Sequence, residues 1–141
     1  MSEANRISLP ATLGSLTSLS EWLAKMIGPL KVDDDWRYAL ELAVSETATN
    51  IIRYALHENP QCSFTIEYTH TDSGVALCFT DAGQPFPSDR LVIERNSSFF
   101  NGELLAESGR GLRLILLSVD VFTVENNAGN NVTIMEKFLP K

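Results

Sequence analysis

Two stretches of alternating apolar and polar residues, each interrupted by a short polar turn, constrain the fold of this chain more than any other feature. The first contains CSFTIEYTH and GVALCFTD around a turn at residues 72–74. The second is VDVFTVENNAGNNVTIMEKFL, with a turn expected at residues 126–131. Alternation with a period of two is typical of strands with one buried face. The sequence therefore predicts two β-hairpins whose apolar faces need helices to cover them.

Helical periodicity supplies those helices. Residues 12–28 carry apolar side chains at helical spacing and end at Gly28-Pro29. The aspartates at 33–35 favour the start of a long helix over about residues 34–56 through capping and the helix dipole. GLRLILLSV, from residue 111, predicts a third helix, and RISLP is a candidate first strand. This order predicts an α+β sandwich with helices layered on one face of a mixed, mostly antiparallel sheet.

Length and charge narrow the class of protein. With 141 residues the chain is expected to form a single domain over 1–141. The net charge of −7, without a cluster of Lys and Arg, argues against a nucleic-acid-binding surface. No apolar run approaches the ~20 residues of a membrane span. The N-terminus lacks the regions of a signal peptide, so a cytoplasmic location is expected.

One face of the long helix does not resemble a solvent-exposed surface. When Val44 is placed at the centre of the core stripe, Glu46 and Asn50 lie one turn apart on nearly the opposite side. Ala39, Ala43 and His57 are expected along the same face. A solvated face usually carries several Lys and Glu residues. The pattern indicates either a shared ligand site or an incidental polar face.

The segment TDAGQPFP places Asp81 at a strand end and Gly83 where the chain leaves the sheet. A carboxylate there can accept a hydrogen bond from the amine of an adenine, and a glycine lets the ring approach the backbone. An ordinary Asp-x-Gly turn is the alternative. Residues 82–108 show no sustained pattern, which predicts a functional lid over about 84–108 or a disordered loop.

The segment GRGLRLI, residues 109–115, places two glycines at the start of the third predicted helix. A glycine-rich turn at a helix N-terminus can direct backbone N–H groups at a phosphate. The same pattern also fits an ordinary tight turn.

The order of these motifs is more specific than any one of them. ELAVSETATNIIRYA, DAGQPFP and ESGRGLRLI, followed by a threonine in the last strand, resemble the GHKL (Bergerat) ATP-binding fold over about residues 8–139. Within that fold they resemble the small anti-sigma-factor serine kinases of bacterial sporulation and stress response. The resemblance implies a kinase that uses ATP and Mg²⁺ to phosphorylate an anti-sigma-factor antagonist. It also implies a second partner, a sigma factor or equivalent target, and a homodimer.

The resemblance implies roles for individual residues. Asn50 would bind the Mg²⁺ ion, and Glu46 would be the general base. The remaining nucleotide contacts would be Asp81 and Gly83 at the adenine, Thr133 near Asp81, and Ser108, Gly109, Arg110 and Gly111 at the lid hinge and the phosphate-binding helix N-terminus.

The chain departs from the family at two positions. Tyr54 stands where His or Gly is frequent, and Arg113 stands where an aromatic is frequent. Both changes bear on the choice of partner. Phe99 and Phe100, in the predicted lid, fit either a docking patch or packing beneath the lid.

Other classes of protein remain as alternatives. One is a GHKL switch that binds nucleotide and only sequesters or activates a partner, although a pure binder has no need of Glu46. A histidine-kinase catalytic domain and a gyrase-type ATPase are less favoured under the single-domain expectation. A binding module without a nucleotide is the remaining alternative.

Overall fold

The computed structural model describes residues 5–85 and 107–140, and for residues 107–110 the backbone alone. The described part contains three α-helices, α1 (Ser15–Ile27), α2 (Asp34–Asn50) and α3 (Glu107–Ser118). Its five strands are β1 (Arg6–Pro10), β2 (Ser63–His70), β3 (Gly74–Asp81), β4 (Val121–Asn127) and β5 (Asn130–Phe138).

The strands form one sheet in the order β1-β2-β3-β5-β4, and every pairing among them is antiparallel. The predicted α+β class is confirmed, and the described sheet is antiparallel throughout rather than mixed. The pairing of β3 with β5 sets Asp81 directly opposite Asn131 and Phe79 opposite Thr133. This register decides which polar side chains meet at the end of β3.

The core lies between one face of the sheet and the helices. Alternate residues of β2, β3 and β5 point inward, and α1 and α2 contribute their apolar stripes. The largest fully buried side chains are Phe64, Phe79, Leu19, Leu23, Ile27, Leu40, Ile52, Ile66, Leu77, Leu112, Ile115 and Met135. Burying one such side chain stabilises the fold by about 1.5–3 kcal/mol. None of the helices in the described part of the chain combines the length and apolar character of a membrane-crossing helix.

Hydrogen bonds to three different parts of the chain fix the start of α2. Asp33 Oδ1 caps the helix by accepting from the Trp36 backbone N–H at 2.9 Å. Arg37 donates to the carbonyl of Ile27, the last residue of α1, at 2.9 Å and to that of Leu30, which follows the helix, at 2.7 Å. The Trp36 indole donates to a backbone carbonyl at the end of β5 at 2.9 Å. These bonds fix the orientation of the helix that bears the polar face.

The end of this helix differs from the prediction. Residues Ile51–Ala55 form a π-helical turn, closed by the Leu56 N–H donating to the Ile51 carbonyl at 2.9 Å. His57, expected on the polar face of the helix, lies beyond the turn with a φ of 55°. Its placement on the helix was wrong because the wider turn ends the helical geometry before residue 57. π-Turns inside helices occur frequently at functional sites.

Two other boundaries also differ. Helix α3 begins at Glu107, four residues before the predicted start at Gly111, so the glycine-rich segment lies within the helix. The second hairpin turns at Ala128 and Gly129 alone, with φ of 53° and 87°, and Asn126 pairs with Asn131 in the strands. Such a tight turn needs left-handed backbone at both central residues. Most of the predicted lid, including Phe99 and Phe100, lies outside the described residues.

Candidate functional site

A cavity of about 320 Å³ lies between α2, the π-turn, α3 and the ends of β3, β4 and β5. This volume is at the lower end of the range for small-molecule sites, ~300–1,000 Å³. Its walls are largely apolar and include Ile51, Leu112, Ile115, Phe122 and Val124. Its polar lining residues include Asn50, Asp81, Asn131 and Thr133. An apolar slot with a few polar groups suits a flat, partly polar ring.

Asp81 is the buried acid of this cavity, with 4% of its surface exposed. Its Oδ1 accepts from the Gly83 backbone N–H at 2.8 Å and from Asn131 Nδ2 at 2.9 Å. Both bonds fall on the same oxygen, and Oδ2 accepts none from the described residues. The carboxylate therefore has one oxygen bound by protein donors and one left as an acceptor for a ligand.

Asn131 is the residue that makes the direct side-chain contact with Asp81, and the sequence analysis missed it. Its Nδ2 also lies 3.3 Å from the Gly83 carbonyl and 3.0 Å from the Gln84 carbonyl, and its Oδ1 accepts from Asn126 at 3.0 Å. A polar residue at an inward position of the last strand was the available signal. Its meaning depended on the register that sets it opposite Asp81.

Thr133, predicted near Asp81, lies on the same wall one inward position beyond Asn131. It is 5% exposed, lines the cavity and pairs across the strands with Phe79. Its hydroxyl makes no hydrogen bond with any described residue. Thr133 is therefore placed to contact a ligand beside Asp81, whereas the protein's own support of Asp81 comes from Asn131.

Gly83 packs against the π-turn rather than facing the cavity. A Cβ at this position would overlap the Ala55 carbonyl group and lie 2.8 Å from Leu56 Cδ2. The next residue, Gln84, donates its backbone N–H to the Ala55 carbonyl at 2.9 Å. The close approach that requires a glycine here is therefore to the protein's own backbone. This contact holds the exit of β3 against the end of α2.

Glu46 and Asn50 lie next to each other, as their spacing predicts, and α3 covers them. The point where a Cβ would stand on Gly111 lies 2.8 Å from Glu46 Oε1 and 3.8 Å from Asn50 Oδ1. Asn50 also lines the cavity. Neither side chain makes a hydrogen bond or ion pair with another described residue. Gly111 keeps the space between the two side chains and the helix open.

The first turn of α3 stands beside this pair. It contains Ser108, Gly109 and Arg110, of which the structure describes the backbone. The first four N–H groups of a helix have no partner within it, and they carry the positive end of the dipole. Gly111, which follows directly on this turn, lies beside Glu46 and Asn50. Such an arrangement suits an anion, phosphate in particular.

Thr47 and Tyr54 are among the other residues that line the cavity. Thr47, between Glu46 and Asn50 on α2, is 3% exposed, and its hydroxyl is buried without a hydrogen-bond partner among the described residues. Buried hydroxyls are nearly always bonded, so the Thr47 hydroxyl is available to a group bound in the cavity. Tyr54, where the chain departs from the family pattern, also lines the cavity and is 44% exposed.

The residues present fit an adenine nucleotide bound with Mg²⁺. The cavity has apolar walls for a ring and a free carboxylate oxygen for its amine. The amide oxygen of Asn50 is a hard ligand that suits Mg²⁺. The described residues contain no group of three or more His, Cys, Asp or Glu that would hold a metal ion by itself. Mg²⁺ at Asn50 would therefore be bound together with phosphate oxygens and water.

Comparisons with known proteins agree with this fold. A family model described as histidine kinase-like ATPase domain matches residues 9–137. Among solved structures, that of the RsbU and RsbW domains of Rv1364c from Mycobacterium tuberculosis is similar, with a TM-score of 0.64 and 16% sequence identity. The match covers 96% of this chain and 32% of that one. No curated protein sequence matches significantly.

Proposed function

The chain belongs to the histidine kinase-like ATPase family, and on that premise we propose that it is an ATP- and Mg²⁺-dependent protein serine kinase. It acts as an anti-sigma factor in a partner-switching module. It phosphorylates an anti-sigma-factor antagonist and otherwise binds a sigma factor or equivalent target. The motif resemblance supports this assignment. The proposal also includes that the protein works as a homodimer in the cytoplasm.

One observation carries the proposal. The Glu46 carboxylate and the Asn50 amide oxygen surround a single point beside α3, at 2.8 and 3.8 Å from where a Gly111 Cβ would stand. Asn50 also lines the cavity that contains Asp81. A candidate metal ligand and a carboxylate that pairs with no described residue, both beside α3, form the arrangement that phosphoryl transfer to a protein hydroxyl needs.

The geometry of the cavity supports a binding role for each of these residues. Asp81 Oδ2 accepts from the exocyclic amine of the base, and the apolar walls hold the ring. The N–H groups in the first turn of α3 donate to phosphate oxygens. Asn50 ligates Mg²⁺. Bound ATP would supply the phosphoryl group, and Mg²⁺ would offset the negative charge of the phosphates.

Glu46 is the proposed general base. It removes the proton of the acceptor serine hydroxyl as that oxygen bonds to the γ-phosphorus and the bond from this phosphorus to its bridging oxygen breaks. No described side chain holds Glu46 by an ion pair, so its carboxylate is available to the acceptor.

A nucleotide-binding switch without catalysis is the second candidate. It is favoured by the contact of Glu46 with Gly111, because a carboxylate packed on a helix can serve the contact between α2 and α3 alone. In that case the protein would sequester or activate a partner according to the nucleotide that it holds.

The two candidate functions predict different losses of ATP affinity and phosphate transfer for variants of Glu46 and Asn50. Glu46→Gln should bind ATP normally and transfer phosphate about 10²–10⁴-fold more slowly, the usual loss when a general base is removed. Asn50→Ala should lose both Mg²⁺-dependent affinity and transfer. Single-turnover transfer from radiolabelled ATP to an antagonist encoded in the same genome measures the rate, and calorimetry measures affinity.

Glu41→Gln is the matched control, because it removes a carboxylate from the same helix away from the cavity. It should transfer phosphate at the wild-type rate. A wild-type rate for Glu46→Gln would reject the kinase mechanism and favour the switch. A lower unfolding temperature for Glu46→Gln, with full activity per folded molecule, would make Glu46 structural.

A further inference from the structure

Asn131 is the centre of the hydrogen-bond cluster at the polar end of the cavity. Three oxygens surround its Nδ2, those of Asp81 Oδ1 at 2.9 Å, Gln84 O at 3.0 Å and Gly83 O at 3.3 Å. Its Oδ1 accepts from Asn126 Nδ2 at 3.0 Å. The residue is 3% exposed and lines the cavity. Its amide orientation is thereby decided, because a reversed amide would place its oxygen against three others.

This arrangement leaves the amide of Asn131 with nothing to donate to a ligand. An amide nitrogen has two hydrogens, and three protein oxygens compete for them. The same bond keeps Asp81 Oδ1 occupied, so that Oδ2 is the free oxygen of the carboxylate. Asp81 and Asn131 together therefore present a hydrogen-bond acceptor to a ligand and no hydrogen-bond donor.

We propose that Asn131 is a positioning residue that sets the selectivity of the cavity for a 6-amino purine over a 6-oxo purine. The inference rests on the proposed binding of an adenine nucleotide. A 6-amino group donates to Asp81 Oδ2. A 6-oxo group presents an acceptor to another acceptor, which is unfavourable in a buried site. Asn131 acts through Asp81, because it holds the carboxylate in the orientation that separates its two oxygens.

Asparagine has the required reach and donor count at this position. With alanine at 131, Asp81 Oδ1 would keep only the Gly83 N–H, and the carboxylate would gain rotational freedom. A buried carboxylate with too few donors is also costly. The loss should therefore affect the orientation of Asp81 first and the recognition of the base through it.

The test compares ADP with IDP, which differ at the 6-position of the purine. Calorimetry with each nucleotide is performed on the wild type, Asn131→Ala, Asp81→Asn and the double variant. Asn127→Ala is the matched control, because Asn127 lies on the same hairpin, is exposed and makes no side-chain hydrogen bond with a described residue. The Gly83 backbone amide resonance, in the nucleotide-free protein, reports on its bond to Asp81 Oδ1.

The wild type should bind ADP at least about tenfold more tightly than IDP, the effect of one hydrogen bond to a charged group. Asn131→Ala should reduce this ratio to near one and shift the Gly83 amide resonance. In the Asp81→Asn background the same substitution should change the ratio much less. Asn127→Ala should retain the wild-type ratio.

The results that would contradict the proposed function differ from those that would contradict the role of Asn131 alone. If the wild type binds neither nucleotide, the proposed function fails and the inference with it. If the wild type discriminates and folded Asn131→Ala retains the full ratio, the inference alone is overturned. If Asn131→Ala does not fold, Asn131→Ser, which keeps one shorter donor, decides. An intermediate ratio supports the proposal, and an unchanged ratio rejects it.

Discussion

The two ends of the cavity are built in opposite ways. At the end of β3, Asp81 and Asn131 share a closed set of hydrogen bonds, and Gly83 is pressed against the backbone of the π-turn. At the other end, Glu46 and Asn50 make no hydrogen bond with described residues and meet α3 across a glycine. Under the proposed function, a base is recognised by fixed geometry, whereas metal, phosphate and acceptor need side chains that no described residue already binds. The proposed recognition end is therefore preorganised, and the proposed reactive end is left open.

The largest further effect is expected from Asp81→Asn. Both protein donors fall on Oδ1, so asparagine can retain them and present Nδ2 where Oδ2 stood. ADP affinity should fall about ten- to a hundredfold, corresponding to the ~1.5–3 kcal/mol of a charged hydrogen bond. IDP should then bind better than ADP. Calorimetry measures both, and a thermal midpoint near that of the wild type would confirm that the hydrogen-bonded end survives the change.

Gly83→Ala should directly disrupt the packing at the end of the cavity that contains Asp81 and Asn131. Its methyl group would meet the Ala55 carbonyl, which is backbone and cannot rotate away. The free energy of unfolding should fall by about 1–3 kcal/mol, as for other overpacked sites. Urea unfolding followed by circular dichroism provides the value. Unchanged stability would show that the exit of β3 is not held against the π-turn.

Gly111→Ala makes the same chemical change next to Glu46 and Asn50. It should have the smallest effect on the free energy of unfolding. The new methyl would meet Glu46 Oε1, the far end of a flexible side chain that can move. Alanine also gains up to about 1 kcal/mol of helix propensity over glycine within α3. Stability should therefore change by less than about 1 kcal/mol in the same urea experiment. A loss as large as that of Gly83→Ala would remove the contrast between the two ends.

Most of the fold was predictable because its signals are local. The hairpins, the two long helices and the capping by Asp33 follow from alternation, helical spacing and side-chain chemistry. The proximity of Glu46 and Asn50 was also predictable, since residues one helical turn apart are neighbours. Their roles as general base and metal ligand remain predictions.

The errors lie where local pattern competes with tertiary packing. The start of α3 was placed four residues late, at Gly111, because glycines usually mark turns, while in the fold this glycine accommodates Glu46. His57 was assigned to a helix face that the π-turn ends earlier. No spacing rule indicates a π-turn, and this one also bonds a distant segment, because its Ala55 carbonyl accepts from the Gln84 N–H after β3.

The sequence by itself determined the class of fold and the family resemblance, and it predicted the candidate site residues, because these depend on residue type and periodicity. The tertiary structure decided how those residues are used. The register of β3 against β5 placed Asn131, rather than Thr133, opposite Asp81. The packing of α3 on α2 brought Gly111 against Glu46. Strand register and helix packing are long-range properties set by the burial of the whole core, and no local pattern encodes them.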